Sequence, residues 1–136
     1  MPELPEVETT IRYLKSKVKG KKIISINRSQ KKLRKNLNFQ DLEQISQKKI
    51  ISVERFAKYI IIGLENENYV IIHLGMSGRL KFYLNENYKK AKHDHVVLQF
   101  TKFKIIYNDP RRFGMFLGLK IQKKLNFFLI TTALIY

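Results

Sequence analysis

Apolar residues near the start of the chain recur at the spacing of an α-helix. Four of them are separated by three or four positions and would share one helix face: Val7, Ile11, Leu14 and Val18. Such a face is typical of a helix that packs on a core. Pro5 suits the first helical turn, where the N–H that it lacks is not needed, and Gly20 suits the position after a helix end. The pattern predicts one helix that begins after Leu4.

The following segments are short, rich in β-branched and aromatic residues, and interrupted by turn residues. They predict strands at KIISI (22–26), IISVERF (50–56), KYIIIGL (58–64), YVIIHL (69–74), RLKFYL (79–84), HVVLQF (95–100) and KIIYN (104–108). The ENEN turn between the third and fourth segments indicates a hairpin. FQDLEQISQ (39–47) predicts a short helix with Leu42 and Ile45 inward. We therefore expect an α+β domain, with the N-terminal helix on a two-layer β-sandwich or flattened barrel.

Charge adds a partner to this picture. The 136 residues, about the length of one domain, include 27 Lys and Arg against 11 Asp and Glu, a net charge of +16. Such self-repulsion favours a polyanionic partner, with nucleic acid as the first candidate and an anionic membrane surface as the second. A lysine-rich composition without any ligand is the alternative. The basic residues form dispersed clusters, KSKVKGKK, KKLRK and Arg111 with Arg112, which on a folded domain can line a groove.

Several classes of function are excluded by composition. The absence of cysteine excludes disulfides, thiol catalysis and a cysteine zinc site within these residues. The three histidines, His73, His93 and His95, lack the spacing of a helical metal site, so we expect no metal. The N-terminus has no basic-then-apolar signal sequence, and the apolar tail LNFFLITTALIY is shorter than the about 20 residues that span a bilayer. We expect a cytoplasmic protein that does not enter a membrane.

The opening stretch, MPELPEVETT, contains candidate chemistry. Removal of Met1 would expose the secondary amine of Pro2, and an α-amino group has a pKa of about 7.7–8.0, so a useful fraction is neutral in the cell. A neutral amine can attack C1′ of a sugar and form an iminium ion, which enables β-elimination of the 3′ phosphate. Glu3 could transfer protons at this centre, and Glu6 lies one helical turn on. In the alternative interpretation, Pro5 and the glutamates start a helix and Pro2 is incidental.

Two motifs with glycines present unusual side chains. In HLGMSG (73–78), Gly75 and Gly78 permit a tight turn that would push Met76 outward; a partly buried hairpin tip is the alternative. In DPRRFG (109–114), Asp-Pro favours a turn that carries two arginines and Phe113; a surface turn with Phe113 in the core is the alternative. A thioether, a guanidinium and a phenyl ring can fill the space that a base leaves when it is flipped out of a duplex.

Five motifs resemble, in the same order, those of bacterial formamidopyrimidine-DNA glycosylases, which excise oxidised purines such as 8-oxoguanine. They are MPELPEVETT, FAKYIII, IIHLGMSGRL, KHDHV and NDPRRFG, and the resemblance extends from Met1 to about Gly118. It implies the fold of the N-terminal domain of that family. The related endonuclease VIII group typically has glycine where this chain has Leu4, so purine lesions are favoured over pyrimidine lesions.

The resemblance also implies three catalytic residues. Pro2 would be the nucleophile, Glu3 the general acid/base, and Lys58 the lysine that contacts phosphate beside the lesion and assists catalysis. Without the other motifs, Lys58 would be interpreted as a surface lysine on a strand.

The resemblance places seven further residues against DNA: Met76, Arg111, Phe113, Arg112, His73, His93 and Glu6. The methionine, the phenylalanine and the first arginine would enter the base stack. The second arginine would bind phosphate, and His73 could do likewise. The choice between the two arginines rests on the family pattern alone.

The resemblance fades near Gly118, so we expect two parts, a glycosylase N-terminal catalytic domain at 1–118 and a non-family tail at 119–136, such as a frameshift or a truncated gene would produce. Family members continue into a helix–two-turn–helix domain and a zinc finger built on four cysteines. Both are missing from this sequence. We therefore expect no zinc cofactor in this chain.

These observations predict a monomeric DNA glycosylase and AP lyase for oxidised purines (8-oxoguanine and formamidopyrimidines) that acts through a Schiff base of Pro2 and β-elimination. Its partner would be double-stranded DNA with an oxidised purine or an abasic site, at the nucleoid. Because half of the family's DNA clamp is missing, we expect impaired activity on duplex lesions and a weak lyase activity on abasic DNA. A non-enzymatic, basic DNA-binding remnant is the main alternative, and an unrelated RNA-binding β-domain is a weaker one.

Overall fold

A computed structural model describes residues 4–29, 44–112 and 114–120. Within these residues, the helix α1 (Leu4–Val18) precedes eight strands. The strands are β1 (Ser25–Arg28), β2 (Ile50–Phe56), β3 (Tyr59–Leu64), β4 (Asn68–His73), β5 (Arg79–Leu84), β6 (Asp94–Gln99), β7 (Phe103–Asn108) and β8 (Met115–Lys120). Two short 3-10 turns, Glu65–Glu67 and Asn85–Asn87, follow β3 and β5.

The strands form two four-stranded sheets, in the orders β1-β6-β7-β5 and β2-β3-β4-β8. One apolar core joins both sheets to the helix. It contains Val53 and Ile72 from one sheet, Leu98 and Tyr107 from the other, and Leu14 from α1. The predicted α+β fold, a helix on a two-layer β-sandwich, is confirmed.

The predicted face of α1 is buried. Each of its four apolar residues is at most 6% exposed: Val7, Ile11, Leu14 and Val18. Burying one such side chain contributes about 1.5–3 kcal/mol, so this face fixes α1 on the core. Beyond the helix end, Gly20 adopts the left-handed conformation (φ 81°), and its N–H donates to the carbonyl of Ile50 (2.9 Å).

The strand predicted at 22–26 is shifted in the structure, where regular pairing with β6 starts only at Ser25. Before it, residues 20–23 hydrogen-bond to residues 47–50. At Ile24 the N–H bonds instead to the carbonyl of Gln99 (2.8 Å). The predicted bounds were wrong because β-branched residues fit either neighbour, and tertiary contacts decide between them.

The structure describes part of the helix predicted at 39–47 and all of the predicted ENEN hairpin. Of the helix predicted at 39–47, Gln44 and Ile45 are helical, and Ile45 is fully buried as expected. Leu42 lies outside the described residues. The ENEN hairpin is confirmed, since the 3-10 turn Glu65–Glu67 joins the antiparallel pair β3 and β4.

The two loops that carry predicted DNA-contacting residues lie side by side. Residues 74–78 join β4 to β5 and residues 109–114 join β7 to β8, so each loop crosses from one sheet to the other. The strand ends from which they leave are register partners: His73 pairs with Met115, and Arg79 pairs with Asn108. Strand pairing at both ends therefore holds the 74–78 loop next to the 109–114 loop.

Candidate functional site

A cavity of about 690 Å³ opens beside these two loops and the first half of α1. Its lining includes Glu6 and Thr10 of α1, Met76 of the 74–78 loop and Pro110 of the 109–114 loop. Three segments that are distant in sequence thus meet around one opening. The structure brings two of the predicted site residues, Glu6 and Met76, to the same cavity.

The 74–78 loop is a tight turn. Gly75 has a positive φ of 63°, and the N–H of Gly78 donates to the carbonyl of Leu74 (2.7 Å). A Cβ at Gly78 would collide with that carbonyl and lie 2.9 Å from its carbon atom, so the turn requires glycine there. Met76 is 46% exposed, which agrees with the outward position predicted for it.

The 109–114 loop presents Arg111 and Arg112, both exposed. Arg112 has φ 58°, a left-handed conformation that costs a non-glycine residue about 1–2 kcal/mol. Its N–H donates to the carbonyl of Asp109 (3.2 Å) and to Oδ1 of the same residue (3.1 Å). These bonds hold the turn in its strained form. Phe113 lies outside the described residues.

The carboxylate of Asp109 is fully buried and accepts four hydrogen bonds. Oδ1 accepts from the hydroxyl of Ser77 (2.7 Å) and from the N–H of Arg112 (3.1 Å). Oδ2 accepts from the hydroxyl of Tyr107 (2.8 Å) and from the N–H of Gly114 (2.9 Å). Sequence reasoning missed this role, because Asp before Pro is also an ordinary way to start a turn.

Two further polar side chains, for which the sequence predicted no supporting role, hold the loops. The Ser77 hydroxyl, which donates to Asp109, also accepts from the N–H of Arg111 (3.0 Å). His95 is 2% exposed, and its Nε2 donates to the carbonyl of Asp109 (2.7 Å), with Nδ1 3.3 Å from the hydroxyl of Ser29. A serine and a histidine inside matched motifs were the available signals, but their partners are distant in sequence.

Burial and hydrogen bonding set the charge states of neighbouring groups. Burial raises the pKa of Tyr107, and the hydrogen bond to Asp109 raises it further, so this hydroxyl stays a donor. A second buried carboxylate, Asp94, begins β6. Burial alone would raise its pKa, but hydrogen bonds, first that from Asn108 (2.8 Å) and also that from Tyr88 (2.9 Å), lower the pKa overall.

Lys58 lies half-buried at the turn between β2 and β3, and contacts on both sides hold this turn. On one side, Arg55 forms an ion pair with Glu8 of α1 (2.6 Å) and donates to the backbone carbonyl that precedes Lys58 (2.9 Å). On the other side, the ring of Tyr59 meets that of His73 edge to face, with centroids 4.9 Å apart. The turn is therefore positioned by both α1 and β4.

The two predicted histidines border the paired loops. His73 is 7% exposed, and its Nδ1 accepts from the N–H of Gly75 (2.9 Å), which places the ring proton of the neutral form on Nε2. A phosphate oxygen accepts hydrogen bonds from N–H groups of this kind. His93 is half-buried, and its carbonyl accepts from the N–H of Asp109 (3.0 Å).

Other predicted features lie elsewhere. Pro2 and Glu3 are outside the described residues, as is the KKLRK cluster at 31–35. Within α1, Glu6 and Lys17 are eleven residues apart, which corresponds to about 16 Å of helix. The KSKVKGKK cluster therefore lies at the opposite end of α1 from the cavity. Lys17 packs there over the rings of Tyr13 and Phe82, at 5.5 and 5.0 Å.

Among the residues that the structure describes, no group of three or more potential metal ligands occurs. The chain has no cysteine, so it offers no ligands for a four-cysteine zinc site. In the same described segments, no helix has both the length and the apolar character needed to cross a membrane.

The chain is similar to curated proteins named formamidopyrimidine-DNA glycosylase. It is 42% identical to that of Wolbachia pipientis subsp. Culex pipiens (strain wPip) over 130 residues, which cover 94% of this chain and 47% of the relative. It is 47% identical to that of Rickettsia bellii (strain OSU 85-389) over 116 residues, which cover 85% of this chain and 42% of the relative. The chain thus spans about half the length of the curated relatives it matches. The division at residue 118 stays a prediction.

Solved structures have the same fold. The Lactococcus lactis Fpg in complex with DNA containing an abasic site matches with a TM-score of 0.82 at 33% identity, over 95% of this chain and 48% of that one. The wild-type enzyme from that organism with DNA containing N7-benzyl-Fapy-dG gives a TM-score of 0.82 at 34% identity over the same shares. The family model of the formamidopyrimidine-DNA glycosylase N-terminal domain matches residues 1–116. The chain therefore belongs to the formamidopyrimidine-DNA glycosylase family.

Proposed function

We propose that this chain acts on DNA as a glycosylase and AP lyase for oxidised purines. One observation carries the proposal: a single cavity joins the first half of α1, a helix that begins two residues after Pro2, to the 74–78 and 109–114 loops. This arrangement supports a site in which a nucleophile at the chain start acts on a nucleotide while the loops fill the base stack. The net charge of +16 supports double-stranded DNA as the partner.

In this mechanism the neutral amine of Pro2 attacks C1′ of the damaged nucleotide. The N-glycosidic bond breaks, and the base leaves with the bonding electrons and takes up a proton. Glu3 protonates the sugar ring oxygen, so the ring opens and the amine nitrogen, having lost its proton, forms an iminium with C1′. The cationic iminium acidifies C2′; loss of that proton drives cleavage of the C3′–O bond and releases the 3′ phosphate. Water then hydrolyses the iminium and regenerates the amine.

The other predicted residues hold and open the duplex. Lys58, His73, His93 and Arg112 supply cations or N–H donors for phosphate oxygens around the lesion. Met76 and the first arginine of the 109–114 loop, with the phenylalanine that follows, occupy the space of the flipped base. The exposure of Met76 and the position of both loops beside one cavity support these roles. We place the protein at the nucleoid of the cytoplasm, because its proposed substrate is there. We propose that it acts as a monomer.

Borohydride trapping on abasic DNA tests the proposal. Reduction with sodium borohydride converts an iminium between protein and C1′ into a stable covalent adduct, which gel electrophoresis detects. We expect an adduct with both duplex and single-stranded abasic DNA. Its formation on the duplex should fall as salt rises, since phosphate contacts release counterions.

Two proline variants form a matched pair for this assay. Pro2→Gly replaces the secondary amine by a primary one, whose neutral imine must be protonated before it withdraws electrons, so strand cleavage should slow about tenfold or more. Pro5→Gly alters the same short stretch but leaves the proposed nucleophile, and its cleavage rate should stay near that of the unaltered chain. Salt-sensitive DNA binding without any adduct would instead identify a non-enzymatic DNA-binding protein.

A further inference from the structure

The buried Asp109 carboxylate is the point at which the two DNA-facing loops meet. Its Oδ1 atom binds one group from each loop, the hydroxyl of Ser77 and the N–H of Arg112. Its Oδ2 atom binds the hydroxyl of Tyr107 in β7 and the N–H of Gly114, next to β8. One side chain thus ties the loops to each other through one oxygen and to the strands beneath through the other.

Each loop contains a group that the Asp109 carboxylate holds in place, the hydroxyl of Ser77 in one and the backbone N–H of Arg112 in the other. Ser77 directly follows the exposed Met76, and its hydroxyl also accepts from the N–H of Arg111, 3.0 Å away. Arg112 is held at a φ of 58°, which an arginine adopts only when surrounding contacts impose it. The Asp109 carboxylate supplies such a contact at 3.1 Å.

An aspartate suits this position better than its amide. Each carboxylate oxygen of Asp109 accepts from a backbone N–H, one from Arg112 and one from Gly114. An asparagine amide has one oxygen and one NH2 group, and NH2 cannot accept. Whichever way the amide is oriented, one of the two backbone N–H groups faces a donor and loses its bond.

We propose that Asp109 is a positioning residue that holds Met76 and Arg111 at a fixed relative position, so that both enter the base stack in one step. The proposal rests on the proposed function, because it concerns how the loops occupy the stack. Asp109 itself is fully buried and acts through the two loops. The bridge through Ser77 carries the coupling.

A fluorescence assay measures stack entry separately from chemistry. The probe is a DNA duplex with a stable abasic analogue opposite 2-aminopurine, a base that brightens when it is unstacked. The unaltered chain is titrated onto this duplex, and the midpoint and amplitude of the fluorescence change are recorded. Trapping on single-stranded abasic DNA, which requires no stack to be opened, reports the amine chemistry in the same samples.

Three variants distinguish positioning from folding. Ser77→Ala removes the bridge between the loops, and Asp109→Asn removes one of the two bonds that the side chain accepts from backbone N–H groups. Tyr107→Phe removes a buried bond to the same carboxylate but leaves both loop contacts. We expect Ser77→Ala and Asp109→Asn to weaken the fluorescence response about tenfold or more, because each removes a hydrogen bond made by the Asp109 side chain, and bonds to a charged group are among the stronger ones. Trapping on single-stranded DNA should be unchanged for Ser77→Ala, and Tyr107→Phe should keep the fluorescence response at a lowered thermal midpoint.

Each outcome decides the proposal. A full fluorescence response in Ser77→Ala overturns it, even where Asp109→Asn does not fold. An equal loss of response in Tyr107→Phe overturns it too, because the effect would then follow stability rather than the loop bridge. No response from the unaltered chain also overturns it. Absence of any trapped adduct rejects the proposed amine chemistry, while the fluorescence result still decides the role of Asp109.

Discussion

The replacement Gly114→Ala probes the packing where the two loops meet the strands. Gly114 is buried, and a Cβ there would collide with the hydroxyl of Tyr107. It would also lie 2.5 Å from the carbonyl oxygen of His73 and 2.8 Å from Oδ2 of Asp109. Tyr107 is 1% exposed, so its ring cannot move aside without disturbing the core. The strain must be taken up by backbone and by the buried carboxylate.

The expected loss of stability follows from two effects. Overpacking a well-packed interior site costs about 1–3 kcal/mol. Displacing Oδ2 of Asp109 from one of its donors costs about 1–3 kcal/mol more, because a buried polar group loses its partner. Gly114→Ala should therefore lower the free energy of unfolding by about 2–6 kcal/mol, a large part of the roughly 5–15 kcal/mol typical of a domain.

Urea denaturation followed by circular dichroism measures this loss. Gly20→Ala is the matched control, because Gly20 has φ 81° and no atom lies within 4 Å of the position that a Cβ would take there. The control substitution therefore costs about 1–2 kcal/mol of backbone strain and adds no collision. Gly114→Ala should be clearly the more destabilised of the two. Equal midpoints for the two variants would show that the loops do not pack on Tyr107 and Asp109 as described.

Three further predictions concern charge. Burial raises the pKa of Tyr107 above the usual value of about 10, so the folded state resists its ionisation, and the free energy of unfolding should fall as pH rises above about 10. This fall should be smaller in Tyr107→Phe; the same pH dependence of unfolding in both proteins would contradict a raised pKa of Tyr107. The pKa of Asp94 is lowered overall, so its ionised form stabilises the fold above about pH 4, and this stabilisation is lost as pH falls below it. In acid unfolding followed by circular dichroism, Asp94→Asn should therefore lose less stability below about pH 4 than the unaltered chain does. The pair of Arg55 and Glu8 is substantially exposed, with side chains 35% and 43% accessible, so Glu8→Gln should change unfolding free energy by less than about 1 kcal/mol in urea denaturation, and a larger change would contradict a screened surface pair.

Sequence patterns were sufficient where structure is local. The helical spacing of Val7 to Val18 identified α1 and its buried face, and turn residues identified the β3–β4 hairpin. The first strand was misplaced because Ile23 and Ile24 are equally suited to a strand but bond to different segments. That choice depends on which neighbour is nearby in the fold.

In the candidate site, too, local features could be predicted from the sequence and contacts between distant residues could not. Motifs pointed to Met76 and to the two arginines of the 109–114 loop, and the tight turn with its exposed methionine could be predicted from the glycines. The role of Asp109 could not, because its donor Ser77 is 32 residues away in sequence. Two short motifs predict residue types, whereas only the pairing of β4 with β8 and of β5 with β7 brings those residues into contact.

In the proposed mechanism, the amine of Pro2 bonds covalently to deoxyribose. Peptide mapping by mass spectrometry, applied to the borohydride-reduced adduct with abasic DNA, locates that bond directly. We predict a sugar-derived mass on the N-terminal peptide, with fragmentation placing it on the proline nitrogen after loss of Met1. A reduced sugar on Lys58 or another lysine, with an unmodified N-terminal peptide, would contradict it.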